Sequence, residues 1–370
     1  MKKRFLKPSI VFSLAALLLL VASVTFTGCS KKAGTKGATA QAEPKKNTKT
    51  IKWRLQTYAG PSMNDEIIGN KVKEFNKIAN GEMVIELYGA DQLVPQGEMF
   101  NALQKGTLDM VVSDDESMGS PADVAVFSAY FPAAGKIGLD IDVLWNRYGL
   151  NEIWKEAYDE IPGVTWLAQG SWDPCLIASN KPIHHVKDLK GLRLFTSLFN
   201  GKFLEEQYGV VPVVMPVEDV QMALQTGMLD GVSWSGATEL YTTGVADVCK
   251  YLLTNPISGA WSGGFFVNTK SWEALPDHLQ RLVRMMIQAS NYYRLNWYWW
   301  GEAKYRVEGT KMQLTSIPSN EWTGVEAQAE KYWKTLSKKS PRSARVIAAF
   351  EKYAEVRRKA GPPYTCGKSK

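Results

Sequence analysis

An internal repeat places the strongest constraint on what this 370-residue chain can fold into. Residues 102–109, ALQKGTLD, recur as residues 223–230, ALQTGMLD, and each copy follows a proline, Pro95 or Pro216. Each copy predicts a short helix that buries alanine and leucine, a glycine that ends the helix in the left-handed conformation, and a turn into a strand. The matching contexts of the two copies predict two related α/β lobes.

The segment before the first copy predicts a β-α-β unit. Apolar residues alternate over residues 51–58 as in a half-buried strand, and they recur at helical spacing between Ile68 and Ile78. Residues 83–88 predict the next strand. Two strands joined by a helix run parallel, and ligands of open parallel sheets bind beyond the carboxyl ends of the strands. Two such lobes facing each other predict a binding cleft.

The N-terminal residues predict an export signal. A basic start is followed by an apolar run over residues 10–24, which is shorter than the roughly 20 residues of a membrane span. The run ends at Gly28 and Cys29, and small residues before a cysteine resemble the bacterial lipobox, whose cysteine is lipidated. We therefore expect a lipoprotein signal peptide over residues 1–28, lipidation of Cys29 and a flexible tether over residues 29–49. An ordinary signal peptide with an incidental cysteine is the alternative.

The charge of the exported chain and the motifs that it lacks exclude several functions. The basic start holds four positive charges and no acidic residue, so its removal lowers the formal net charge from +7 to +3. The sequence has no basic-aromatic patch for nucleic acid and no phosphate-binding glycine loop. Cys175, Cys249 and Cys366 lack metal-site spacing, and His184 and His185 have no third ligand nearby. We expect no cofactor, no metal site and no nucleic-acid partner. Whether two of these three cysteines form a disulfide is left open by the sequence.

Motifs downstream resemble those of a family of transport receptors. Residues 182–193 read PIHHVKDLKGLR, and they are followed by the second repeat copy and by residues 266–268, FVN. This combination is similar to the signature of the solute-binding receptors of tripartite ATP-independent periplasmic (TRAP) transporters. The resemblance covers roughly residues 50–360.

The resemblance implies an α/β, two-lobed periplasmic-binding-protein (Venus-flytrap) fold with mixed sheets and a long hinge-spanning helix, which the apolar spacing from Leu275 onward also predicts. It implies a receptor, not an enzyme, that captures a small organic acid in the periplasm and delivers it to the TRAP membrane permease. We expect lobe 1 to hold residues 50–171 and about 265–300. Lobe 2 is expected to hold residues 172–264 and about 301–365.

Two positions depart from the family pattern. Phe195 stands where these receptors usually carry an arginine that clamps the solute carboxylate. Arg193 lies two residues earlier on the same strand face, where it either substitutes for that arginine or is a surface cation. Ser233 stands where relatives that bind keto acids through a metal carry a glutamate, while the following Trp234 is retained. A metal-bridged ligand is therefore not expected.

Nine residues are expected to contact the solute: seven lie at strand ends, at the lobe crossover or beside the second repeat copy, and the resemblance adds Arg193 and Phe195 at the position of the family's arginine. They are Tyr58, Ser113, Trp172, Arg193, Phe195, Trp234, Ser235, Glu239 and Asn268. Rigid aromatic side chains contribute apolar contact area, and a few polar groups orient a ligand. Trp172 and Trp234 are equally compatible with packing inside a lobe, whereas Asp114 and Asp115 are more typical of solvated turns or helix caps.

The loss of the clamping arginine argues against a plain dicarboxylate solute. An aromatic or bulky organic acid is the favoured ligand, and a small sulfonate such as isethionate is the alternative. A secreted α/β enzyme is a weaker hypothesis, because residues 231–235, GVSWS, lack the second glycine of a nucleophile elbow. A structural lipoprotein is a third class, which would bind no small molecule.

Overall fold

The structure is a computed structural model that describes residues 49–128 and 131–361. The predicted signal peptide, the lipidation site Cys29, the tether before residue 49 and Cys366 lie outside the described residues. Within them the strands are β1 (Ile51–Thr57), β2 (Met83–Tyr88), β3 (Met110–Ser113), β4 (Val164–Ser179), β5 (Arg193–Thr196), β6 (Val211–Val213), β7 (Gly231–Ser233), β8 (Tyr251–Asn268) and β9 (Gln313–Thr315).

The α-helices of the described residues are α1 (Pro61–Asn64), α2 (Asn70–Ile78), α3 (Met99–Gln104), α4 (Gly138–Arg147), α5 (Leu150–Asp159), α6 (Leu198–Tyr208), α7 (Val220–Gln225), α8 (Ala237–Thr242), α9 (Thr269–Glu273), α10 (Asp277–Glu308), α11 (Ser319–Leu336) and α12 (Pro341–Ala360). A π-helical turn, Asp65–Gly69, joins α1 to α2. Short 3₁₀ turns precede α3 and α7 in the same way, at Gln96–Glu98 and Val217–Asp219.

Two copies of one half-sheet flank a central antiparallel pair. The strand order is β2-β1-β3-β8-β4-β7-β5-β6, and β9 pairs with β8. In lobe 1, β1 runs parallel to β2 and β3, and in lobe 2, β5 runs parallel to β6 and β7. Strands β4 and β8 run antiparallel to each other and to the adjoining β7 and β3. The predicted β-α-β unit and the mixed sheet are confirmed.

The central strands β4 and β8 serve both lobes. They are 16 and 18 residues long, and they pair with each other along most of that length. Their register shifts repeatedly between Ser171 and Ile177, around Pro174, which has no N–H for the ladder. Such irregularities bend strands and interrupt pairing. The crossover between the lobes is therefore the least regular part of the sheet.

The repeat corresponds to a structural duplication. Its copies form α3 with β3 in lobe 1 and α7 with β7 in lobe 2, so the two segments occupy equivalent places. Gly106 and Gly227 follow the two helices with φ of +75° and +73°, the left-handed conformation that the sequence predicts. A residue with a Cβ is strained there, which explains the glycine in both copies.

An arginine-aspartate pair fixes the repeat in each lobe. In lobe 2, Arg193 Nε donates a hydrogen bond of 2.9 Å to Asp230, and the Arg193 amide donates one of 3.0 Å. In lobe 1, the Arg54 amide donates one of 2.9 Å to Asp109, and Arg54 Nε lies 3.6 Å from the same carboxylate. Each pair ties a lobe's first strand to the residue just before its third strand.

The long helix α10 spans the two lobes, as predicted. Near its middle, Ser290 Oγ donates to the carbonyl of Ile67 in the π-helical turn of lobe 1, at 2.8 Å. Two turns later, the carbonyl of Tyr298 accepts from Thr238 Oγ1 of α8 in lobe 2, at 3.3 Å. One rigid helix therefore contacts both halves of the molecule.

The lobe boundaries drawn from the sequence remain a prediction. Helix α12, which that prediction places in lobe 2 within residues 301–365, contacts α4 and α5, which precede β4. Arg357 Nη1 lies 2.5 Å from Asp140 of α4, and Arg345 Nη1 lies 2.6 Å from Glu156 of α5. The last helix thus returns to the lobe-1 side of the crossover.

The Asp230 pair leads to a prediction about stability. Hydrogen bonds from Arg193 and Lys181 hold the pKa of Asp230 well below its usual range. Asp230→Asn is therefore expected to lower the free energy of unfolding by about 2 kcal/mol at pH 7. Because the folded-state pKa is depressed, this difference is present above the unfolded pKa of about 3.9 and is lost as the pH falls below it.

Urea denaturation at pH 7 and pH 3 measures this difference. Asp247→Asn is the matched control, because Asp247 pairs with Lys311 at the surface with its side chain 56% exposed. Equal stabilities of wild type, Asp230→Asn and Asp247→Asn at pH 7 would refute a structural role for the repeat's ion pair.

Candidate solute-binding cleft

A cavity of about 560 Å³ lies at the carboxyl ends of the parallel strands of both lobes. Tyr58, after β1, and Asp114, after β3, line it from lobe 1. Phe195 of β5 and Trp234, after β7, line it from lobe 2, and Trp261 of β8 completes the wall. The cavity is where the strand pattern predicts a cleft.

Two pairs of aromatic side chains form part of the cavity walls. The rings of Tyr58 and Trp261 meet edge to face, with centroids 4.4 Å apart and planes at 81°. Phe195 and Trp234 form a second edge-to-face pair, with centroids 5.9 Å apart and planes at 72°. Such pairs hold each ring at a fixed angle. The walls are therefore rigid, apolar surfaces on which a small solute can lie.

The charged groups of the cavity are all acidic. Asp91, Asp114 and Glu116 line it, and no lysine, arginine or histidine is among its lining residues in the described part of the chain. Burial, together with the neighbouring Asp114 carboxylate, raises the pKa of Glu116 to about 7. The cavity therefore favours a positively charged group over a second negative one.

The carboxylates of the acidic turn after β3 accept hydrogen bonds from the turn's own backbone and from helices α5 and α6. Asp114 Oδ1 accepts from the Ser117 amide at 2.7 Å. Asp115 accepts from the Tyr158 hydroxyl at 2.6 Å, and burial raises the pKa of Asp115 to about 6. Glu116 Oε1 reaches across the cavity and accepts from the amide of Leu198, the first residue of α6 in lobe 2, at 3.0 Å.

A hydrogen-bonded layer lies beneath the aromatic wall. Trp172 Nε1 donates to the Tyr58 hydroxyl at 2.5 Å, and that hydroxyl donates to Glu239 Oε1 at 3.1 Å. The Tyr298 hydroxyl of α10 also donates to Glu239. The layer joins β4, α8 and α10, and it fixes the phenol of Tyr58 at the cavity wall.

Arg294 is the buried cation of this layer. It is fully buried, and its guanidinium carbon lies 3.8 Å from the centre of the Trp172 ring. Arg294 donates to the carbonyls of Ser171 and Ile67 at 3.1 and 3.2 Å, and to Asn291 at 2.6 Å. Burial lowers the pKa of Arg294, while the surrounding phenols and carboxylates oppose that shift.

Three buried carboxylates belong to Asp173, Glu239 and Glu302. Asp173 accepts from the Gly236 amide at 2.9 Å and from Ser235 Oγ at 3.1 Å. Burial, together with the neighbouring carboxylates of Glu239 and Glu302, raises the pKa of Asp173 well above its usual range. Burial also raises the pKa values of the other two acids. The interior beneath the cavity is thus rich in acidic groups.

The residues selected from the sequence fall into four positions. Tyr58, Phe195 and Trp234 line the cavity. Trp172, Ser235 and Glu239 are buried in the layer directly beneath it. Ser113 is buried in β3, and its hydroxyl makes no hydrogen bond within the described residues.

Arg193 and Asn268 lie at the other end of the sheet, near the amino ends of the parallel strands. Arg193 is the first residue of β5 and is paired with Asp230, as described above. Asn268 caps α9 by accepting from the Ser271 amide at 3.0 Å, and its amide nitrogen donates to the carbonyl of Leu103 at 2.8 Å. The structure does not bring these two residues together with the cavity.

Sequence reasoning missed several residues of this site. Glu116 directly follows Asp114 and Asp115, which are typical of a turn. The local pattern does not mark Glu116 as a residue of the cavity. Trp261 lies within a run of small and apolar residues that gives no sign of a cavity wall. Arg294 is the one charged residue in the aromatic segment 292–300 of α10. A single cation among aromatic residues is the sequence signal that could have identified it as a residue of the site.

The described residues include no group of three or more histidine, cysteine, aspartate or glutamate side chains placed to hold a metal ion. Ser233, at the position where metal-using relatives carry glutamate, lies 3.2 Å from both Cys175 Sγ and Asn200 Nδ2. Cys175 and Cys249 are buried and free. The described thiols therefore pack as small buried groups and do not form a disulfide.

The fold and cavity match a known receptor family. The model of the DctP family, bacterial extracellular solute-binding protein family 7, matches residues 64–340. The chain belongs to this family, and it is a solute-binding receptor of the TRAP type. The predicted two-lobed α/β fold and receptor class are confirmed, and both family and fold are those of receptors rather than enzymes.

Curated relatives bind organic acids according to their names. The chain is 25% identical to a monocarboxylate 2-oxoacid-binding periplasmic protein of Nostoc over 258 residues, which are 67% of this chain and 68% of that protein. It is 26% identical to the C4-dicarboxylate-binding periplasmic protein DctP of Rhodobacter capsulatus over 269 residues, 70% of this chain and 76% of that one. These proteins belong to the periplasm.

Solved structures show the same fold. A TRAP periplasmic solute-binding protein of Chromohalobacter salexigens, with bound (S)-(+)-2-amino-1-propanol, is 51% identical with a TM-score of 0.82, covering 85% of this chain and 99% of that one. A TRAP protein of Pseudoalteromonas atlantica with bound sodium and pyruvate is 20% identical, with a TM-score of 0.73, over 84% and 96% of the chains. The second likeness concerns the fold alone.

The two tryptophans that the sequence left ambiguous are expected to respond differently to truncation. Trp172 has no exposed surface and stacks on Arg294, so Trp172→Ala is expected to lower the free energy of unfolding by about 3–5 kcal/mol. Trp234 is partly exposed at the cavity wall, so Trp234→Ala is expected to cost about 1–2 kcal/mol.

Guanidinium denaturation of the ligand-free protein separates the two cases. Trp300→Ala serves as the control, because Trp300 is 54% exposed on α10. A loss in Trp172→Ala no greater than that in Trp300→Ala would show that Trp172 does not support the layer beneath the cavity.

Proposed function

We propose that this receptor captures a small solute bearing an ammonium group, such as an amino alcohol or a small amino acid, and delivers it to the membrane permease of a TRAP transporter. The supporting observation is the acidic cavity: Asp91, Asp114 and Glu116 line it, without a basic residue among the described lining residues. An ammonium desolvated in such a site regains favourable charge interactions, whereas a carboxylate does not.

The aromatic walls support the same class of ligand. Cations bind to the faces of aromatic rings, and Tyr58, Trp234 and Trp261 offer three such rings around the cavity. The relative of 51% identity was solved with a bound amino alcohol, a compound that carries one ammonium and one hydroxyl group. That ligand combines a small apolar body with the charge that the cavity of the present chain favours.

Capture is proposed to involve closure of the two lobes. The cavity is lined from both lobes, so a solute gains its full set of contacts only when they come together. The irregular pairing of β4 with β8 around Pro174 supports bending at the crossover. Because α10 contacts both lobes, it is expected to limit the range of this motion.

A plain organic acid is the second candidate. The names of the curated relatives favour it, and the N-terminus of α6 at the cavity wall is a place where a carboxylate is stabilised. The Glu116 carboxylate already occupies that place through its bond to Leu198. A solute carboxylate would have to displace it, so the amine is the better-supported ligand.

A thermal-shift screen tests the solute class. Added in large excess over the dissociation constant, (S)-2-amino-1-propanol or alanine is expected to raise the melting temperature by several degrees, because a ligand that binds only the native state stabilises it. Lactate and isethionate match these compounds in size but lack the amine, and they are expected to raise it less. A larger shift with lactate would favour the plain acid, and a larger shift with isethionate the sulfonate.

The site of action is proposed from the N-terminal sequence together with the family. Members of this family are periplasmic, and no helix within the described ranges has the length and apolar character needed to cross a membrane. We propose that the lipobox-like segment before Cys29 directs lipidation of that cysteine. The lipid would hold the receptor on the membrane through the polar residues 30–49, near the permease.

Lipidation has a direct test in cells. Cys29→Ser is expected to abolish incorporation of labelled fatty acid and to move the receptor from the membrane fraction to the soluble periplasmic fraction. Ser30→Ala, the adjacent substitution, is the control and is expected to leave both unchanged. A labelled, membrane-bound Cys29→Ser protein would contradict the lipid anchor.

A further inference from the structure

Glu116 differs from the other acidic residues of the cavity in its contacts. It belongs to the turn after β3 in lobe 1, yet its Oε1 accepts the amide N–H of Leu198 in lobe 2 at 3.0 Å. Asp114 is committed to the Ser117 amide of its own turn, and Asp91 to the Gln96 amide. Among these three acids, Glu116 is therefore the one that connects the lobes.

The bond from α6 has a physical reason. Ser197 precedes the helix in an extended conformation, but its side chain makes no capping hydrogen bond. The first amides of a helix need acceptors, and the positive end of its dipole favours an anion. Glu116 supplies both from the opposite lobe. This contact exists only while the two lobes are close together.

The second oxygen of Glu116 has no partner. Oε2 is buried and makes no hydrogen bond within the described part of the chain, although a carboxylate accepts several. Glu116 lines the cavity, and the carboxylate of Asp114, which also lines it, raises the pKa of Glu116. A buried acceptor of this kind beside a cavity is completed by a donor from the ligand, and an ammonium offers three N–H groups.

We infer that Glu116 is the specificity-determining residue of the cleft, and that its carboxylate bonds the solute's ammonium and the N-terminus of α6 at the same time. The inference rests on the proposed function, because it assumes an amine-bearing solute. An ammonium held by Glu116 keeps the carboxylate charged and in place, and this strengthens its bond to α6. Recognition of the amine and closure of the lobes are thereby coupled through one side chain.

Three variants separate recognition from closure. Glu116→Gln keeps the shape and an oxygen that accepts from Leu198, but it removes the charge. Leu198→Pro removes the amide donor and keeps the charge; proline suits the first position of a helix, and Leu198 is 67% exposed. Asp91→Asn removes a different carboxylate from the cavity wall and is the matched control for general loss of negative charge.

Isothermal titration with (S)-2-amino-1-propanol provides the measurement, after circular dichroism has shown that each variant is folded. Glu116→Gln is expected to weaken binding at least about tenfold, since a charge-assisted bond is lost. Asp91→Asn, which removes a cavity carboxylate already bonded to its own loop, is expected to weaken binding by only about threefold, clearly less than Glu116→Gln. Leu198→Pro is expected to bind more weakly than wild type but more tightly than Glu116→Gln.

The outcomes are distinguishable. If wild type binds the amine and Glu116→Gln binds it equally well, the role of Glu116 is refuted while the proposed function stands. Equal losses in Glu116→Gln and Asp91→Asn also refute it, because any negative charge would then suffice. An unchanged affinity in Leu198→Pro refutes the coupling to closure. A wild-type protein that binds no amine refutes the proposed function itself, and the inference with it.

Discussion

The arrangement of the cleft depends on how one buried cation, Arg294, is accommodated. A guanidinium removed from water needs acceptors for its N–H groups and a favourable environment for its charge. Backbone carbonyls from β4 and from the π-helical turn, the Asn291 side chain and the face of Trp172 supply these. They come from separate elements, so Arg294 fixes them around α10. Trp172, held in this way, in turn positions Tyr58 at the cavity wall.

Short-range sequence patterns account for the predictions that the structure confirms. Strand β2 begins and ends at the predicted residues. Residues predicted to lie at strand ends, such as Tyr58 and Trp234, line the cavity. Alternation identifies a strand face but not the end of the sheet at which a residue lies, so it could not distinguish Arg193, at an amino end, from a cleft residue. The contact of Glu116 with α6 joins residues far apart in sequence, and no local pattern encodes it.

The charge of the whole chain gives a misleading picture of its cleft. The formal net charge is +7, yet the cavity walls and the layer beneath them hold several acidic groups around one buried arginine. Burial keeps the pKa values of Asp173, Glu239 and Glu302 raised. A cationic solute lowers the cost of ionising such groups, so an acidic interior and an amine ligand stabilise each other.

The shared central strands also bear on how the chain folds after synthesis. Strand β8 lies beside β3 of lobe 1 and beside β4, yet it begins only at Tyr251. The two half-sheets cannot join into one sheet until this late segment is available, and pairings between distant segments form slowly. A nascent chain that stops short of β8 therefore cannot complete the sheet, and an incompletely folded polypeptide is the form that can be threaded through a narrow secretion channel.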